Sequence, residues 1–129
     1  MAVLCVLAAV AGLCCVVLPP YIIPGGIKQP YYGQTIVPWF QTAIDNLAFA
    51  PTWSLLAVLG LALGLVQPQF WWLLGPMTIA LLPLLLGVDL VRFPRSHNLW
   101  PFEVGFYVYI GWPAIAGAFA GSLLKNLWR

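Results

Sequence analysis

Three stretches of this sequence, residues 1–18, 51–66 and 70–88, contain no Asp, Glu, Lys, Arg or His. A fourth, residues 103–124, carries Glu103 at its mouth and no other charge. A helix on the surface of a water-soluble domain needs a polar face, and none of these runs can supply one. Crossing a hydrocarbon core about 30 Å thick takes roughly 20 mostly apolar residues. The spacing therefore predicts an all-α integral membrane protein: four transmembrane helices in an antiparallel bundle, forming one transmembrane domain over residues 1–129.

Composition agrees. The chain is 63% hydrophobic and 6% charged, with a mean hydropathy of +0.97. Soluble domains are nearer half apolar and a quarter charged. Soluble enzymes, disordered tails and nucleic-acid binders are excluded, the last because they need a basic stripe on one face. A net charge of +2 is too small to imply acidic partners.

The first run ends at Pro19-Pro20 and has no charged n-region, so it is expected to be a retained helix and not a secretory signal. Cys5, Cys14 and Cys15 all fall within it. Leu13, before Cys14, is too large for lipoprotein cleavage, and these thiols are expected to be buried and inert. Gln67-Pro68-Gln69 leaves so short a turn that the second and third spans must form an antiparallel hairpin. The two longer connections, 19–50 and 89–102, then share the other side of the membrane, and both termini share the hairpin side.

Trp53, Trp71, Trp72, Trp100 and Trp128 sit near span ends, where an amphipathic ring prefers the headgroup layer. Trp112 is the exception, inside the fourth span beside Pro113. Positive-inside counting sets Lys28, Arg92 and Arg95 on the loop side against Lys125 and Arg129 on the other. A margin of one charge does not orient the chain. In the first loop, apolar pairs at 39/40, 43/44 and 47/48 alternate with polar pairs, predicting a short interfacial helix over 38–48.

Two spans carry small residues four apart: Gly60 and Gly64 in the second, Gly117 and Gly121 in the fourth. Such spacing lets helix backbones approach closely, within this chain or toward a neighbouring subunit. Pro76 and Pro83 lie two turns apart in the third span, with Thr78 the polar side chain between them. A curved but continuous helix is expected there.

Ionisable groups concentrate between Asp89 and Glu103. That segment holds the single His, two of the three acids and two of the five bases. Charges at membrane depth are costly and mark functional candidates. Asp89, Arg92, Arg95, His97 and Glu103 are the candidate lipid- or partner-binding residues. Arg92 and Arg95 could grip a phosphate or an acidic side chain bidentately. Alternatively they pair with Asp89 and Glu103; Asp89 and Arg92 have the i, i+3 spacing for it. Ser96, His97 and Asp89 have the composition of a nucleophilic triad but not its arrangement. Asp89, His97 and Glu103 lack a tight metal motif. No catalytic or metal site is assigned, and no cofactor is strongly implied; one His excludes bis-His haem but leaves a pigment- or quinone-associated subunit open.

The leading expectation is a non-catalytic, multi-spanning subunit or accessory protein, with the bilayer and other membrane subunits as partners. The alternative is a small membrane enzyme or lipid-headgroup binder built on the polar segment 89–103.

Overall fold

The computed structural model describes residues 1–26, 49–92 and 100–128; of residues 89, 100 and 103 it describes the backbone alone. The interfacial helix expected over 38–48 lies outside the described residues. Helices joined by turns make up the described residues, with no strand among them. Three helical stretches are long and apolar enough to cross a membrane: Ala2–Ile22, Pro68–Arg92 and Val104–Leu127. A shorter apolar helix, Ala50–Val66, joins them.

Helix α1 (Ala2–Val17) is followed at once by α2 (Pro19–Ile22). Leu18 joins them with helical backbone angles, φ −75° and ψ −38°, and its amide donates to the Cys14 carbonyl at 3.0 Å. The prolines therefore do not stop the span at Leu18, as the sequence suggests; it continues to Ile22. Proline's fixed φ is helical, and in the first turn its missing N–H breaks nothing that α2 itself needs. Gly25 then turns the chain at φ 98°, a left-handed conformation that suits a residue without a Cβ.

Helix α3 (Ala50–Val66) has Pro51 in its first turn and ends where the Gln67 amide bonds the Leu63 carbonyl at 2.9 Å. A single 3₁₀ turn, Pro68–Phe70, reverses the chain into α4 (Trp71–Met77).

The third span departs from the expected continuous helix. Helix α4 stops at Met77, a turn occupies Thr78–Ala80, and α5 runs from Leu81 to Arg92. Pro83 has no amide to give the Ile79 carbonyl, and that carbonyl instead accepts from Leu82 at 3.0 Å. Upstream, the amides of Thr78, Ile79 and Ala80 each reach three residues back, to Gly75, Pro76 and Met77, at 3.2 Å. The ladder tightens to 3₁₀ geometry between the two prolines. Thr78 supports the break by donating its hydroxyl to the Gly75 carbonyl at 2.7 Å, so the side chain is satisfied where lipid could not satisfy it.

Helix α6 (Trp100–Leu127) is the longest element and continues through Pro113. Its broadest contact is with α3, and its next broadest with α4. Val16, Leu56, Ile79, Leu82, Leu86, Tyr107, Ile110 and Ala114 form one buried cluster. Ala8, Leu63 and Leu74 form a second. Residue order in these clusters shows that α1 runs against α3 and along α4 and α5. Apolar burial alone does not hold such helices together in lipid, whose tails are as apolar as Leu; close packing and hydrogen bonds do.

Candidate functional site

The polar segment that the sequence singles out is only partly within the described residues. Asp89 and Arg92 lie in the last turns of α5, and Glu103 lies in the first turn of α6. Arg92 is exposed in the last turn of its helix, where a cation complements the partial negative charge of the terminal carbonyls. Arg95 and His97 lie outside the described residues, as does Ser96. The structure thus fixes the helix ends that flank the segment, and of the five candidates it describes the side chain of Arg92. Among the described residues, no group of three or more His, Cys, Asp and Glu could hold a metal ion.

The four glycines lie together. A Cβ built on Gly60 would fall on the carbonyl oxygen of Ala114, and one on Gly64 on that of Ala118. Reciprocally, a Cβ on Gly117 would strike the Ala57 carbonyl, and one on Gly121 the Leu61 carbonyl. Partners advance together along both helices, so α3 and α6 run in the same direction. The hydrogen standing where each Cβ would be faces a carbonyl oxygen. Such Cα–H···O contacts contribute about 0.5–1 kcal/mol each.

Three further glycines make contacts that their sequence spacing does not announce. A Cβ on Gly12 would fall on the Thr78 carbonyl, which seats α1 directly on the break in the third span. Gly75 lies against the Ile115 backbone, 2.9 Å from a built Cβ, and Gly111 lies under the Ile79 side chain. In this second pair the partners run in opposite orders, so α4 is antiparallel to α6. The small-residue pattern Ala8-x-x-x-Gly12 was the available signal for the α1 contact.

Two other features stand out on the surface. Trp71 packs on Phe119, ring centroids 4.9 Å apart at 58°. Beyond the end of α3, an open groove of about 740 Å³ is lined by Leu65, Leu124, Lys125 and Trp128. It lies at the opposite end of α6 from the polar segment, and of its residues Lys125 and Trp128 carried a signal in the sequence, as a flanking charge and an interfacial indole.

Helices of this length and apolarity, several to one chain, define a multi-pass integral membrane protein. Over 73 residues, 57% of its length, the chain is 36% identical to the inner membrane ABC transporter permease protein YejE of Escherichia coli (strain K12). The match covers 20% of that relative, so the chain spans about a fifth of the permease's length. No family model and no solved structure matches the chain.

Proposed function

We propose that this protein is a non-catalytic, multi-spanning subunit of a larger membrane assembly, and that the assembly is a transporter of the ABC type. The observation that carries this reading is the 36% identity to an ABC transporter permease over more than half of the chain. In this reading the chain is a single transmembrane domain of four spans in up-down order, with residues 1 and 128 on one side of the membrane. Support for that order comes from the pairwise directions above: α1 against α3, α4 against α6, α3 along α6. The glycines at 60, 64, 117 and 121 serve as the internal seam of the domain.

The polar segment then meets neighbours. Asp89, Arg92, Arg95, His97 and Glu103 contact lipid headgroups or an adjoining subunit on the side away from the Gln67–Gln69 turn. The exposed placement of Arg92 at the end of α5 favours an outward-facing role. Purification from the native membrane in mild detergent, followed by cross-linking and mass spectrometry, tests the proposal. Other transporter subunits are expected at a fixed ratio, with cross-links to residues 89–103. Recovery of the chain alone, as a monomer, would sink it.

A further inference from the structure

The turn between α3 and α4 is recessed. The contacts of Gly60 with Ala114 and Gly64 with Ala118 on one side, and of Gly117 with Ala57 and Gly121 with Leu61 on the other, bracket the register and set Val66, the last residue of α3, about level with Leu123. Residues 124–127 continue past that level, about 6 Å at 1.5 Å per residue. Helix α3 has 17 residues, which gives it about 26 Å of length, short of the ~30 Å hydrocarbon core. The groove of about 740 Å³ lies at this step, with Leu65 of α3 and Leu124 of α6 in its lining. That volume lies within the range of small-molecule sites, about 300–1,000 Å³.

The described part of its lining has two chemistries. Leu65 and Leu124 make an apolar wall, while Lys125 and Trp128 stand one turn apart at the outer rim, both exposed. An apolar wall capped by an ammonium group and an indole matches an acyl chain under an anionic headgroup. Lysine lays its alkyl stem along the apolar surface and lifts its charge to the interface, where tryptophan also resides. The end of α6 opposes an anion with about half a negative charge, but Lys125 brings a full positive one. A net-anionic headgroup complements that charge, whereas a zwitterionic one offsets its phosphate with its own cation.

We propose that this groove binds an anionic membrane phospholipid, with the acyl chain along Leu65 and Leu124 and the phosphate at Lys125. The lipid fills the recess that a short α3 leaves in the bilayer. This assignment is independent of the proposed subunit role and of the polar segment at the other end of α6.

The test is native mass spectrometry of the full chain released from mixed micelles holding equal amounts of phosphatidylglycerol and phosphatidylcholine. One Lys near a membrane surface gives a preference of roughly 5-fold for the anionic lipid. Lys125→Gln is expected to abolish the preference, Lys125→Arg to keep it, and Leu124→Gln to lower retention of both lipids. Helical circular dichroism checks that each variant is folded. An unchanged preference in Lys125→Gln would overturn the proposal, as would its loss in Arg92→Gln instead. Displacement of phosphatidylglycerol by millimolar inorganic phosphate would also overturn it, since the site would then be one for free phosphate.

Discussion

Gly60 meets the backbone of Ala114 so closely that no side chain fits between them: a Cβ at residue 60 would overlap the Ala114 carbonyl oxygen. The obstacle is backbone, which cannot swing aside as a side-chain tip can. Gly60→Ala is therefore expected to destabilise the protein by about 1–3 kcal/mol, the usual penalty for overpacking. Gly87 and Gly105 have nothing within 4 Å of a built Cβ. Alanine at either should be neutral or stabilising by up to ~1 kcal/mol, reflecting helix propensity alone. Unfolding in SDS, monitored by circular dichroism, measures all three variants, and equal effects would refute the asymmetry.

Gly12 has the same relationship to Thr78. Gly12→Val should push α1 away from the third span while leaving the α3–α6 contact in place. Cysteine pairs introduced at 8 and 74, on α1 and α4, are expected to cross-link less efficiently in this variant. Pairs at 57 and 117 should be unaffected. Loss of both contacts together would show that the seam depends on α1.

Thr52 is fully buried, and its hydroxyl has no hydrogen-bond partner in the structure. Threonine to valine keeps the shape and removes a polar group whose unsatisfied burial costs roughly 1–3 kcal/mol. Thr52→Val is thus expected to be neutral or stabilising. Ser122 provides the contrast, because its hydroxyl donates to the Phe119 carbonyl at 2.7 Å. A loss above ~1 kcal/mol in Thr52→Val would mean that the hydroxyl is satisfied after all.

Trp71 and Phe119 tie α4 to α6 through a tilted ring contact at 4.9 Å. A double-mutant cycle with Trp71→Ala and Phe119→Ala should give a coupling of about 0.5–1.5 kcal/mol, beyond what the separate losses of area explain. Additivity of the two substitutions would exclude a direct contact.

Pro83 accounts for the break at Thr78–Ala80 only if its missing amide is the cause. Pro83→Ala supplies a donor for the Ile79 carbonyl, so the amide of residue 83 should become strongly protected from hydrogen exchange. The amides of Thr78–Ala80 should exchange more slowly as well. Exchange at the original rate would place the cause elsewhere, with the Gly12–Thr78 contact the next to test.

Charge-free runs determine on their own that this chain is helical and lives in a membrane, because hydrocarbon admits few other ways to satisfy a backbone. They locate apolar helices to within a few residues: 51–66 against Ala50–Val66, and 103–124 against an α6 that runs from Trp100 to Leu127. Prolines are read less well, since their effect depends on the neighbouring carbonyls. Pro19 and Pro20 let a helix continue, while Pro76 and Pro83 frame a break. Of the candidate site, the sequence marks residue types at 89–103 but cannot say which helix end each occupies.

What only the tertiary structure decides is which surfaces meet. The glycine spacing says that a close approach is possible; the register of Gly60 with Ala114 selects the partner helix and its direction. The groove at Lys125 has no trace in the local sequence, because it arises from a difference in reach between α3 and α6, which are more than thirty residues apart in the chain. Periodicity reports one helix at a time, whereas a recess is a relation between two.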